Sequence, residues 1–178
     1  MRTYILTMAL LTLAVARPAA AQDPFDAVKN AAGEVKKAAG PGVTKEVERQ
    51  VNAKLTSEAR KNQCSFKTDT DQLAPGCDAK LKKLANSLVE AKRNLTAAGV
   101  SSYKFEVSGH TDSSGNASHN KELSGRRAAV IAKELAARGV PESEITSIGM
   151  GAEKLLVSPD NTAAKKAKNR RYEIQVRI

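Results

Sequence analysis

The chain has no tryptophan, only three phenylalanines and only three tyrosines in 178 residues. So small an aromatic supply leaves little for the stacking platforms that single-stranded nucleic-acid binders use. Cysteine is nearly absent as well, and the pair present can form at most one bridge. Long hydrophobic runs are missing: the run from Tyr4 to Ala16 falls well short of the ~20 apolar residues that span a bilayer. Acidic residues are in deficit, 19 against 29 basic ones, for a formal net charge of +10. Such a balance attracts anionic polymers. In a cell envelope these would be phosphate-rich lipids or wall polymers. The bland alternative is a basic surface that serves solubility.

What is present begins with an export pattern. Arg2, the short apolar run and Ala19-Ala20-Ala21 before Gln22 read as a cleaved signal peptide over residues 1–21. No cysteine lies near the cleavage site, which disfavours a lipid anchor. A membrane barrel needs at least eight strands of ~9–11 residues, and the stretch from Gln22 to Lys61 is too short for one. The expectation is a soluble periplasmic protein, in association with the outer membrane or cell wall, with no membrane span in the mature chain. Export also argues against nucleic acid as partner. Oxidising conditions then favour a disulfide between Cys64 and Cys77, which flank SFKTDTDQLAPG with its Pro-Gly turn. A pair of free thiols is the alternative.

Residues 22–61 read as a helical or partly disordered extension, broken at Gly40-Pro41-Gly42. Its first piece carries Val28, Ala31, Ala32 and Val35; its second carries Val47, Val51 and Leu55. This thin stripe is expected to bury little, so that residues 62–178 hold the whole core and fold alone. That part begins with a short strand at Ser65 to Thr68, Phe66 inward. Leu81, Leu84, Leu88, Ala91 and Leu95 mark a helix ended by Gly99. A strand over Ser102 to Ser108, a helix from about Ser118 to Arg138, and a strand from Ile145 to Gly149 follow. After a basic loop with one helical turn, Tyr172, Ile174 and Val176 alternate with polar residues in a closing strand. The order β-α-β-α-β-β gives an α/β (α+β) two-layer sandwich: a mixed four-stranded sheet with helices packed on one face.

The stretch FEVSGHTDSSGNASHNKELSGRR, Phe105 to Arg127, carries the chemistry. It is a strand, a polar loop and a helix start. Such a connection can bring Asp112 and Arg127 to one mouth, and an acid beside a base suits a small zwitterion. Asp112 can equally be a turn aspartate bonding its own loop. Arg127 offers a planar fork to a carboxylate, or is a solvated helix arginine as Arg126 is; adjacent helix residues point ~100° apart, so both cannot face one pocket. Asn120 can orient the loop or touch ligand. Thr111 and Ser113 can offer backbone N–H groups to a carboxylate. Arg171 either reaches the same mouth or forms a salt bridge within the sheet. His110, His119 and Asp112 could be written as metal ligands, and Ser113, His110 and Asp112 as a catalytic set. The second set crowds one loop with no base-orienting geometry. No metal, cofactor or catalytic residue is assigned.

GHTD, then Asn120, then LSGRR before an alanine-rich helix, with Asn169-Arg170-Arg171-Tyr172-Glu173 near the end, resembles the OmpA-like C-terminal peptidoglycan-binding domain family over about residues 62–178. The resemblance implies the same two-layer sandwich and selects Arg127 over Arg126. It implies a non-catalytic wall binder whose ligand is the diaminopimelate of the peptide stem. Asp112 would pair its ammonium and Arg127 its carboxylate. It also makes His110 a packed structural residue. The second reading is a basic envelope adaptor in which residues 22–61 dock a protein or an anionic surface.

Overall fold

A computed structural model describes residues 41–178, with side chains described from residue 44. The expected signal peptide and the first helical piece of the extension lie outside the described residues. Helix α1 spans Pro41–Lys61, α2 Asp78–Ala97, strand β1 Lys104–His110, helix α3 Ala117–Ala136, strand β2 Ile145–Gly151, helix α4 Ala163–Asn169 and strand β3 Arg171–Arg177. Among the described residues no helix is long and apolar enough to cross a membrane.

Among the described residues the sheet has three strands, in the order β2-β1-β3, not the four expected. It is mixed: β1 runs parallel to β2 and antiparallel to β3. The parallel pair is joined through α3, as a parallel connection requires. The segment expected as a first strand forms only an isolated bridge, Phe66 with Leu73, inside a loop closed by Ala74 N–H to Ser65 O. Phe66 still leans on the core.

What stands beside β3 is helix α1. Asn52 Nδ2 donates to the Val176 carbonyl and its Oδ1 accepts from the Val176 N–H. Gln63, just past the helix end, makes the same two bonds with Tyr172. In an antiparallel pair alternate residues aim their backbone groups away from the partner strand. Those of Tyr172 and Val176 are met here by amide side chains.

The stripe on α1 does more than its composition suggested. Val47, Val51, Leu55 and Ala59 recur every four residues and are at most 2% exposed. They join one core cluster with Leu81, Leu84, Leu88, Phe105, Ile131 and Ile174. The expected boundary at residues 61 and 62 therefore falls inside a packed unit, and residues 62–178 do not contain the whole core. The error has a physical source: valine and alanine are small, but a stripe aimed squarely at a sheet edge buries all of its area.

The helix-facing strand positions also allow a close backbone approach. Phe105 and Val107 on β1, with Ile174 and Val176 on β3, face the helices. Further along the same face stand Gly109 and Gly149. A Cβ at Gly109 would sit 2.1 Å from the Ser124 carbonyl oxygen, and one at Gly149 2.3 Å from that of Lys121. Only glycine lets α3 lie this near the strands. Ser124, fully buried, accepts a hydrogen bond from the Gly151 N–H through its hydroxyl. The start of α3 is thereby fixed over the strand ends where the loop 111–116 emerges.

Candidate functional site

Loop 111–116 leaves β1 and enters α3 under a cap: Asn116 Oδ1 accepts from the His119 N–H at 3.1 Å. Asp112 sits between these elements. Its Oδ1 accepts from the Ser114 N–H at 3.0 Å, the turn bond that the sequence allows. Its Oδ2 accepts from Arg170 Nη1 at 2.7 Å. Burial pushes this carboxyl up, but the Arg170 and Ser114 bonds more than offset it and leave it below its ordinary value. A carboxylate has about four lone-pair sites, so these two bonds leave capacity for a ligand.

Arg127 projects from α3 toward the loop that follows Phe66. Its Nε donates to the Thr70 carbonyl at 2.8 Å and its Nη2 to the Lys67 carbonyl at 3.3 Å. Its guanidinium lies 5.0 Å from the centre of the Phe66 ring, a cation–π contact. Burial lowers its pKa, with Asp69 working in the opposite direction. Two of five N–H donors are used, and three remain. Arg126 points elsewhere, exposed and paired with Glu122 one turn back.

Asp112 and Arg127 line one cavity of about 990 Å³. Arg170 and Arg171 share it, as do His110 and Phe66, while Thr56, Ala59 and Arg60 of α1 close another wall. His110 is 3% exposed, and burial first, then Arg171, pushes its pKa down to about 4. It is therefore a neutral ring at pH 7. His119 stands apart on α3, its Nε2 2.7 Å from Asp69 Oδ1. Among the described residues no group of three or more His, Cys, Asp or Glu could hold a metal ion.

The other expected residues have different occupations. Asn120 is buried and donates to the Ser114 carbonyl at 2.7 Å, so it ties the loop to the helix rather than lining the cavity. The Thr111 N–H is already bonded to the Gly151 carbonyl. The Ser113 N–H and hydroxyl both go to Asp160. Neither N–H is free for a ligand carboxylate. Arg171 lines the cavity, but its Nε is held at 2.7 Å by Glu173, the salt bridge within the sheet. Cys64 and Cys77 are both buried free thiols, not a bridge. Cys64 Sγ lies 3.8 Å from the Cys77 carbonyl. Burial, then the adjacent Cys77 thiol, pushes the Cys64 pKa up to about 12.

Sequence reasoning missed two groups. Arg170 pairs with Asp112 across 58 positions. The Asn-Arg-Arg run pointed to the right segment, but only the tertiary structure decides which arginine meets Asp112: the more exposed Arg170, not Arg171. Asp160 was missed altogether. It is 4% exposed and gathers the Ser113 N–H and hydroxyl with the Asn169 amide. Those three bonds hold its pKa down at about 2. It clamps the loop of Asp112 to the head of β3.

Against known proteins, a family model described as OmpA family matches residues 65–170, more than half of the chain. That family is non-catalytic. Outer membrane porin F of Pseudomonas fluorescens is 36% identical over 111 residues, which is 62% of this chain and 31% of that protein. Peptidoglycan-binding protein ArfA of Mycobacterium bovis is 40% identical over 73 residues, 41% of this chain and 22% of that protein. Outer-membrane lipoprotein YfiB of Pseudomonas aeruginosa is 35% identical over 91 residues, 51% of this chain and 52% of that protein. The chain thus spans from about a fifth to half the length of these relatives. Among solved structures, the peptidoglycan-associated lipoprotein of Burkholderia pseudomallei aligns with TM-score 0.50 at 21% identity, covering 64% of this chain and 86% of that one. The C-terminal domain of Helicobacter pylori MotB aligns with TM-score 0.52 at 21% identity, covering 65% and 84%. These two likenesses establish the fold.

Proposed function

This chain belongs to the OmpA family, and on that footing we propose that it is a peptidoglycan-binding module of the bacterial envelope. The observation that carries this is the shared cavity: Asp112 and Arg127 line the same space, with ligating capacity left on each. The ligand is the diaminopimelate of the peptide stem. Its side-chain end carries an ammonium and a carboxylate on one carbon. Asp112 takes the ammonium and Arg127 the carboxylate, each through a charge-assisted bond. Asn120, Asp160 and Ser124 keep the loop and helix in register without touching ligand. The names of the porin, lipoprotein and ArfA relatives support an envelope location and the wall polymer as partner.

Over residues 41–61 the adaptor reading loses ground on one observation. The apolar stripe of α1 that would dock a partner is spent on the protein's own core. What α1 still offers outward is charge. Purified peptidoglycan should pull the protein down, and free diaminopimelate should release it. Retention that survives excess diaminopimelate but collapses with salt would point to diffuse charge instead.

A further inference from the structure

The cavity is more basic than a zwitterion needs. It is lined by five basic side chains and three acidic ones. Asp112 is matched by Arg170, Glu173 by Arg171, and Asp69 by His119 outside the cavity. Arg127 rests on two carbonyls and a ring. That leaves Arg60, on the α1 wall, and Lys168, near the end of α4. Among the described residues neither side chain has an ion pair or hydrogen bond. A bound zwitterion brings charges that cancel. It would leave both cations without a counter-charge.

We propose that Arg60 and Lys168 receive a second carboxylate of the peptide ligand. This rests on the reading of the cavity as a wall-peptide site. A glutamate linked through its side chain to the diamino acid leaves its α-carboxylate free, and that is the chemistry the two cations fit. Arg60 lies on helix α1, ahead of the stretch that matches the family. Helix α1 then has two roles, completing the core with one face and the ligand site with its last turn.

The test is calorimetric titration of the full chain with two synthetic tripeptides, alanyl-γ-glutamyl-diaminopimelate with the glutamate α-carboxyl free or amidated. Amidation should weaken binding about tenfold, the usual loss for one charged hydrogen bond. An R60A/K168A double variant should lose the discrimination, binding the two peptides alike. Both residues are exposed, so its melting curve should match the parent's. If the parent binds both peptides equally while Arg127→Ala loses both, the second carboxylate is wrong and the wall-binding reading stands. If the double variant still discriminates, Arg60 and Lys168 are not the readers. If neither peptide binds the parent, both readings fall.

Discussion

The side-chain amide of Asn52 bonds both backbone groups of Val176, at 3.0 Å to the carbonyl and 2.6 Å from the N–H. With Gln63 on Tyr172, it gives the outer edge of β3 the pairing that a fourth strand would otherwise supply. An edge with open N–H and C=O groups invites pairing with other chains. Asn52→Ala should therefore cost about 1–3 kcal/mol, the penalty for leaving a partly buried donor and acceptor unmet. The urea midpoint should fall accordingly. An unchanged midpoint would mean that water serves the edge equally well.

Removing residues 41–61 should do far more. Val47, Val51 and Leu55 are each at most 1% exposed, and full burial of such a side chain contributes ~1.5–3 kcal/mol. Their sum is comparable with the ~5–15 kcal/mol of net stability typical of a domain. A fragment of residues 62–178 should lack a cooperative melt, read by circular dichroism. A sharp transition in that fragment would show that the sheet and remaining helices suffice.

At the site, Asp112→Ala and Arg127→Ala should each lower peptidoglycan affinity roughly tenfold to a hundredfold, the loss of a charged hydrogen bond of ~1.5–3 kcal/mol. Arg127→Lys should fail too, because an ammonium cannot copy a two-pronged contact. Arg126→Ala changes the charge equally but sits on the solvent side with Glu122, so it should do little. Equal small losses at Arg126 and Arg127 would assign binding to bulk charge.

His110 predicts an acid dependence of stability. Its folded-state pKa of about 4 lies below the ordinary 6.5, chiefly through burial. The unfolded chain therefore takes up a proton first as pH falls. The contribution is fully present above pH 6.5, declines down to about pH 4, and then levels off. Melting temperatures across that window should be flatter for His110→Leu than for the parent. Parallel profiles would assign the dependence to other groups.

Cys64 and Cys77 are buried thiols in contact across the 65–76 loop. Oxidation should join them without disturbing the fold, since Cys64 Sγ already lies 3.8 Å from the Cys77 carbonyl. In the loop-entropy model a bridge of this span adds ~3 kcal/mol, less any strain. Thiol labelling of denatured, unreduced protein from an oxidising compartment should find none free. Two labelled thiols per chain would place the pair permanently in the reduced state.

Part of this protein was legible in residue order alone. The leucine spacing of α2 gave its buried face, and all five expected residues are buried. The alternation of Tyr172, Ile174 and Val176 gave β3, because a strand's period of two depends only on local backbone geometry. The helix that carries Arg127 was visible through its own period, with Leu123, Ala128, Ile131 and Leu135 on one face. Tertiary structure alone decided the rest. Whether the stripe of α1 docks or dangles depends on a sheet edge more than a hundred residues away, where Asn52 meets Val176. Where a fourth strand was expected, the amides of Asn52 on α1 and Gln63 just beyond it meet the edge of β3. Arg170 rather than Arg171 reaches Asp112, and Asp160 clamps Ser113, through contacts that close across 58 and 47 positions. Local periodicity fixes which face of an element is apolar. It says nothing of which distant element that face, or that arginine, will meet.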